Sequence, residues 1–166
     1  MKRPPYRPAG AVSVTTFVNR EVAITVLGLL PQPGGSKRGF VLGRRALIVD
    51  ANPKAKKYQE FVATAVRSQL PPNFVPFDGP VSATVTFVMP RPKHHFKKDG
   101  TLKDDAPYYH TVKPDGTKLW RALEDALTKA GVWTDDARVA TQHATKIYTT
   151  AGADNTPRFS VMVAAL

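Results

Sequence analysis

The segment GTKLWRALEDALTKAG, residues 116–131, constrains the fold of this chain more than any other stretch. At 100° per residue its apolar side chains form one stripe, and Gly131 follows where a helix would end. The stripe consists of Leu119, Ala122, Leu123, Ala126, Leu127 and Ala130. A helix with a single apolar face has to bury that face, and we expect it to pack on a β-sheet.

A second helix and several strands are predicted around this one. Residues 51–70 show helical spacing of apolar side chains, with Asn52 as cap and Pro53 at the first helical position. Apolar or alternating runs predict strands at 11–18, 21–28, 81–90, 138–149 and 157–166, and a hairpin at 39–50 that turns at Gly43, Arg44 and Arg45. This order predicts an α+β fold with a mixed or antiparallel sheet and two main helices.

The length of 166 residues predicts one domain, which we place at residues 21–166 behind a basic, partly flexible arm at residues 1–20. The chain has no cysteine, which excludes disulfides and thiolate metal sites. No apolar run approaches the roughly 20 residues that span a bilayer. The basic N-terminus is not followed by the apolar segment of a secretory signal, so we expect a cytoplasmic protein without a membrane partner.

The net charge of +11 predicts a polyanionic partner. The positive residues concentrate in two stretches, 37–57 and 91–103, and the second lies in a long polar connection between residues 90 and 114. A connection of that length is usually functional or partly disordered. We expect DNA contacts from Lys37, Arg38, Arg44, Arg45, Lys54, Arg91, Lys93, Lys97, Lys98 and Lys113.

Carboxylates concentrate around the helix at 116–130, although the chain as a whole is basic. Five of the 13 acidic residues lie between positions 115 and 136: Asp115, Glu124, Asp125, Asp135 and Asp136. Each has an ordinary structural interpretation, as a helix cap, a solvated helix face or a turn. Taken together they suit Mg²⁺, which prefers oxygen ligands and is held by a few carboxylates plus substrate phosphate. Basic loops around an acidic pocket are typical of a nuclease.

The same segment resembles the RusA family of Holliday-junction resolvases, which is common in phages and prophages. The family pattern is roughly K-P-D-x-D-[NK]-L-x-[KR]-x-x-x-D-A-L followed by A-G-[VF]-W-x-D-D-x-[QR]-V. The chain matches it with Lys113-Pro114-Asp115, Leu119, Arg121, Asp125-Ala126-Leu127, Ala130-Gly131-Val132-Trp133, Asp135-Asp136 and Arg138-Val139. A looser likeness covers residues 24–67.

The resemblance implies a homodimeric, Mg²⁺- or Mn²⁺-dependent endonuclease that cuts four-way DNA junctions in recombination and repair. It implies a phage or prophage protein that acts in a bacterial cell. Carried over residue by residue, it makes Asp115 and Asp136 catalytic metal ligands and Arg121 a catalytic cation at the scissile phosphate. We expect Asp135 to be an auxiliary ligand.

Thr117 departs from the family pattern, because an aspartate is expected at that position. Three resolutions are open. Glu124, two helical turns further along the same face, reaches a displaced metal; Asp135 completes the site with Asp115 and Asp136; or the activity is weak or lost. The last resolution makes the protein a binder of branched DNA that does not cut it.

Overall fold

The predicted helix at 116–130 is confirmed, and it packs with a second helix on one face of a five-stranded sheet. The computed structural model describes residues 13–18, 20–35, 37–50, 52–150 and 155–166. Its strands are β1 Ser13–Val18, β2 Glu21–Leu27, β3 Lys37–Leu42, β4 Arg45–Asp50, β5 Val81–Met89, β6 Val139–Tyr148 and β7 Arg158–Ala165. Its helices are α1 Lys54–Arg67 and α2 Gly116–Ala130, with short 3₁₀ turns at Lys93–His95 and Asp136–Arg138.

The main sheet has the strand order β1-β2-β7-β5-β6. Only β5 and β6 run parallel, and the other neighbours are antiparallel, so the sheet is mixed. The two parallel strands are joined through the 90–114 connection and α2, because parallel neighbours need a crossover. The expectation of a single small α+β domain is confirmed.

The apolar stripe of α2 lies in the core, and all six of its residues are buried. Opposite it are the inward side chains of the sheet, among them Val22, Val85 and Phe159. Gly131 ends the helix in the left-handed conformation at φ 81°, and its N–H bonds back to the carbonyls of the last turn. The two helices are also joined by polar contacts, since Gln59 of α1 donates to the Asp125 carboxylate at 2.7 Å.

The predicted arm at residues 1–20 contains a strand of the main sheet. Residues 13–18 form β1, which pairs antiparallel with β2 along its whole length. This strand therefore belongs to the domain, because a sheet neighbour shares the ladder hydrogen bonds of the core. The remainder of the predicted arm, residues 1–12, lies outside the described residues. No helix in the described part of the chain is long and apolar enough to cross a membrane.

The predicted hairpin is confirmed as β3 and β4, which within the described part of the chain pair only with each other and form what we call the ribbon, residues 37–50. The turn consists of Gly43 and Arg44, while Arg45 already belongs to β4. Every described side chain of the ribbon is exposed, including six large apolar ones. The ribbon therefore does not contribute to the core of the domain.

Candidate active site

Asp115 occupies the N-cap position of α2, but its carboxylate does not cap the helix. The side chain makes no hydrogen bond to the first-turn N–H groups, and its ion pair is with Lys118 at 3.3 Å. Both partners of this pair are about half exposed. The cap interpretation of Asp115 is therefore wrong for the side chain, and its oxygens stay accessible from the surface.

A cleft of about 500 Å³ opens beside Asp115. It is lined by the loop Leu30–Pro33, Asn52, Met89 and the segment Lys113–Asp115 with Lys118. Two lysines thus flank the carboxylate within the cleft, which suits an anionic ligand. A larger cavity of about 560 Å³ lies at the other end of β5, where Phe74, Phe77 and Leu166 line it. The charged groups, and not the cavity volumes, indicate that the candidate site is the cleft beside Asp115.

Lys146 on β6 was not predicted, yet it shapes the segment that carries Asp115. Its ammonium donates to the carbonyl oxygens of Val112 at 2.6 Å and Pro114 at 2.5 Å. Burial lowers the pKa of Lys146, and the nearby Asp115 carboxylate opposes that shift. Lys146 therefore holds the backbone on both sides of Lys113 and adds positive charge next to Asp115. Lys146 lies in a strand, 31 residues beyond Asp115, and no local sequence pattern connects it with that residue.

Glu124 on α2 lies within electrostatic reach of Asp136, which begins the 3₁₀ turn after the helix. Burial raises the pKa of Glu124, and the charges of Asp136 and Asp125 raise it further. The Trp120 indole and the Arg121 guanidinium oppose this shift. The Trp120 N–H does not reach hydrogen-bond geometry and has no other partner. A half-buried carboxylate that is repelled by a neighbouring exposed one is stabilised by a bound cation.

Asp115 and Glu124 are separated along α2. Glu124 follows Asp115 by nine positions, which is about 13 Å of helical rise. Asp136 begins the 3₁₀ turn before β6. Among the described residues, no group of three or more Asp, Glu or His side chains is arranged to hold a metal ion. The predicted set of Asp115, Asp135 and Asp136 is therefore not gathered into one group by this structure.

Asp135 has a structural role that the sequence interpretation allowed for. Its Oδ1 accepts a hydrogen bond from the Ala137 N–H at 2.8 Å and caps the 3₁₀ turn. The turn is tied to the start of β5 by Arg138, which binds the Asp78 carboxylate at 3.0 Å. One oxygen of Asp135 is thus used by the turn. The charge of Asp136 raises the pKa of Glu124.

Arg121 is exposed on α2 and lies against the loop that precedes the ribbon. Gly34 donates to the Lys118 carbonyl at 2.9 Å, so this loop crosses α2 directly. A Cβ placed on Gly35 would lie 2.6 Å from Cδ of Arg121, and Gly35 has a φ of +78°. Gly35 therefore allows the loop to cover the aliphatic part of Arg121, while a Cβ on Gly34 would lie 3.0 Å from Cβ of Ala122. Thr117, one turn before Arg121, is exposed on the same side of the helix.

The predicted DNA contacts are exposed with one exception, Arg91. Arg91 is 6% exposed, and its guanidinium donates to the carbonyls of Thr149 at 2.6 Å and Pro107 at 2.8 Å. It also stacks over the Tyr148 ring, with 5.3 Å between Cζ and the ring centroid. These contacts assign Arg91 to holding the 90–114 connection on the sheet, and we remove it from the proposed DNA-binding set.

Two buried histidines pack on the same tyrosine. The rings of His95 and His110 lie 4.8 Å and 4.6 Å from that of Tyr148. Burial lowers the pKa of both histidines, and the positive charge of Lys146 lowers that of His110 further. Nδ1 of His110 is buried without a partner. The folded protein therefore favours neutral imidazoles in this cluster.

We expect the stability of the protein to fall as the pH drops below about 6.5, the ordinary histidine pKa. The unfolded chain then binds protons that folded His95 and His110 do not, and above this pH neither group contributes. His110→Phe should roughly halve the slope of melting temperature against pH between 5 and 6.5, because His95 retains its share. His143→Phe, at an exposed position, is the control. An unchanged slope in His110→Phe would contradict this assignment.

The fold and the site together define a class of protein, a small basic α+β domain with carboxylates set among cations along one helix. A family model described as Endodeoxyribonuclease RusA matches residues 32–164, well over half of the 166 residues. The chain belongs to the RusA family of Holliday-junction resolvases, and the predicted resemblance is confirmed. Among curated proteins no significant match to the chain is found.

Proposed function

We propose that this protein is a divalent-metal-dependent endonuclease that cuts four-way DNA junctions as a homodimer. Membership of an endodeoxyribonuclease family supports the reaction class. The observation that supports the site is that Glu124 is half-buried on α2, with the charge of Asp136 raising its pKa and that of Arg121 opposing the shift. A junction with two-fold symmetry is naturally cut by a two-fold protein, which supports the dimer.

Mg²⁺ or Mn²⁺ fits the donors that are present. Mg²⁺ keeps several waters and is usually bound through one or two carboxylates plus substrate phosphate. Glu124 and Asp136 would supply those carboxylates, with Asp135 auxiliary through its uncommitted oxygen. An ion held by these residues would supply a more acidic water and positive charge for the phosphoryl oxygens. This assignment adopts the first of the three resolutions of Thr117, in which Glu124 replaces the missing aspartate.

The remaining residues bind and position DNA. Arg121 contacts the scissile phosphate, because a guanidinium keeps its charge and matches phosphate geometry. Asp115 stays in the proposal as a catalytic carboxylate, since its oxygens are not used by the helix and the family pattern requires it. Phosphate contacts along the junction arms come from Lys37, Arg38, Arg44, Arg45, Lys54, Lys93, Lys97, Lys98 and Lys113. Lys118 and Lys146 extend this positive surface around Asp115.

A labelled four-way junction tests the proposal when it is incubated with and without Mg²⁺ or Mn²⁺. We expect paired, symmetric incisions that require the metal and are absent from a linear duplex of the same sequence. Junction affinity should fall steeply with salt, because each Lys or Arg contact releases counterions. Tight binding without incision at any metal concentration would refute the enzymatic part.

The second candidate function is a branched-DNA binder with weak or no cleavage. It is favoured by Thr117, because a neutral hydroxyl does not replace the charge of the expected aspartate. The junction assay separates the two functions, since binding without incision is the result that this second function predicts. Either function requires access to DNA, which supports the cytoplasm of a bacterial host as the proposed location; an origin in a phage or prophage rests on the resemblance.

Gly35→Ala should displace Arg121 and lower the cleavage rate about tenfold, equivalent to roughly 1.4 kcal/mol of transition-state stabilisation. A new methyl group would meet Cδ of Arg121, and alanine is strained at positive φ. The melting temperature should fall by roughly 2–4 °C for each kcal/mol of strain. Gly79→Ala is the control, because a Cβ there meets no atom within 4 Å. Unchanged cleavage by Gly35→Ala would argue against a role for this loop in placing Arg121.

A further inference from the structure

Two neighbouring tyrosines lie exposed on the 90–114 connection, close to the segment that leads into α2. The exposed fractions are 52% for Tyr108 and 60% for Tyr109. Their rings form an edge-to-face pair, with 5.0 Å between the centroids and 82° between the planes. Aromatic side chains bury a large apolar area when a ligand covers them. More than half of each side chain is therefore left open to such a ligand.

The backbone that carries these rings is fixed on both sides. The Pro107 carbonyl accepts a hydrogen bond from the buried Arg91 guanidinium at 2.8 Å, directly before the pair. Tyr109 forms an antiparallel bridge with Ile147 of β6, and the residues on either side of Tyr109 also hydrogen-bond to that strand. Rings on a fixed backbone lose only side-chain rotation when a ligand binds, so the entropy cost of binding is small.

The same stretch of β6 holds the tyrosines and the segment before Asp115. Lys146, the residue before Ile147, donates to the carbonyls of Val112 and Pro114. Tyr109 precedes Asp115 by six positions, which span at most about 20 Å of extended chain. Each nucleotide of a DNA strand rises about 3.4 Å. The rings therefore lie within about six nucleotides of a phosphate that is bound beside Asp115.

The surroundings of the pair favour a nucleic-acid base over a protein surface. Lys113 and Lys118 line the cleft into which this segment leads, and their charge attracts a polyanion. The exposed apolar surface of residues 107–113 consists of the two rings and Val112. A stable protein interface takes roughly 20–30 residues on each side, which this surface does not supply. A single base needs only one aromatic ring on which to stack.

We propose that Tyr108 and Tyr109 form a stacking surface for an unpaired base at the branch point of the DNA. Inside a duplex, neighbouring bases cover both faces of each base, so a protein ring reaches only a base that has left the stack. The cost of leaving the stack is lowest where pairing is already interrupted, as at a branch. Phosphate contacts position the protein on any DNA, whereas this contact distinguishes branched from linear DNA. The inference rests on the proposed function for its substrate.

Equilibrium binding of the full chain without divalent metal tests the proposal, with a labelled four-way junction and a linear duplex of the same sequence. Replacing both tyrosines, Tyr108→Ala with Tyr109→Ala, should lower junction affinity about 5- to 150-fold, the range for one stacked base. Duplex affinity should change less than about twofold, because no unpaired base is present. Tyr108→Phe with Tyr109→Phe keeps both rings and should bind like the wild type. Lys113→Ala is the charge control and should weaken both DNA forms equally.

Removing the base instead of the rings locates the contact. A single abasic site is moved outwards from the branch point over about six nucleotides of one strand. At one position it should weaken wild-type binding by the factor that the double alanine variant shows. The alanine variant should lose nothing further at that position, because ring and base belong to one interaction and their effects do not add. Melting curves verify that each variant folds.

Equal losses of junction and duplex affinity in the double alanine variant would overturn the proposal and assign the tyrosines to general DNA binding. Unchanged junction affinity would overturn it too, and so would additive effects of ring and base removal at every position. Incision in Mg²⁺ is measured separately. Tyrosine-dependent binding of junctions that are never incised would reject the nuclease proposal and keep this contact, and incision with an unaltered branch preference in the alanine variant would do the reverse.

Discussion

Asp136→Asn is expected to abolish junction cleavage, with a loss of at least about 1,000-fold in rate. A metal ion supplies several kcal/mol of transition-state stabilisation, and each 1.36 kcal/mol corresponds to a factor of ten. Asparagine has nearly the same shape but lacks the charge that holds the ion. The measurement is single-turnover cleavage of a labelled four-way junction in saturating Mg²⁺.

Junction affinity separates lost chemistry from lost binding in this variant. Removing a carboxylate next to DNA should leave the affinity unchanged or tighter, because phosphate is then repelled less. Asp104→Asn makes the same change of charge in the 90–114 connection, where Asp104 pairs with Lys97 at 3.3 Å. It should cleave like the wild type. Full activity of Asp136→Asn would refute the assigned site.

Glu124→Gln is the second large effect that we expect, with a loss of about 100-fold or more in cleavage rate. The glutamate occurs two turns after Thr117, and its coupling to Asp136 is the reason for placing it in the metal site. If Glu124 substitutes for the missing aspartate, removing its charge leaves Asp136 and the auxiliary Asp135 as the charged ligands of this centre. The same single-turnover assay, run as a titration in Mn²⁺, should show that a higher Mn²⁺ concentration is needed for the half-maximal rate.

Asp125→Asn is the matched control for Glu124→Gln. It removes a neighbouring charge on α2 while the amide oxygen still accepts from Gln59. Cleavage should stay within about threefold of wild type, well under 1 kcal/mol. Thr117→Asp should do little in the wild type but recover activity in Glu124→Gln, because the two positions serve one function and their effects do not add. If Thr117→Asp had the same effect in the wild type and in Glu124→Gln, the proposal that Glu124 replaces the missing aspartate would be contradicted.

The fold could be predicted from the sequence where the spacing of apolar residues and the residues that end an element indicate the same bounds. The bounds of α2 follow from its apolar stripe and Gly131, and the strands follow from short apolar or alternating runs. The ribbon was predicted as a hairpin, but its exposure was not. An apolar run such as Phe40-Val41-Leu42 indicates a strand without saying whether the covering surface belongs to the same chain. The sequence pattern of an apolar strand is the same whichever surface covers it.

The site was predictable only in part, because its residues are joined by tertiary contacts. The resemblance of the motif around α2 to the family pattern points to Asp115, Arg121 and Asp136, and their roles stay a prediction. Lys146 was missed, since a lysine in a strand has no pattern that connects it to a distant loop. Arg91 was misplaced for the opposite reason: it lies in a basic stretch, yet its guanidinium satisfies buried carbonyls. Charge clusters in a sequence do not distinguish a DNA contact from an internal hydrogen-bond donor.

The 90–114 connection also protects the outermost strand from unwanted pairing with other chains. Tyr108 and His110 bond to the outer edge of β6, through Tyr148 N–H to Tyr108 O at 2.9 Å and His110 N–H to Lys146 O at 3.0 Å. An open strand edge is a template for aggregation, and this connection closes part of it. The segment thus combines exposed lysines that are proposed to contact DNA with buried residues, Arg91 and His110, that attach it to the sheet.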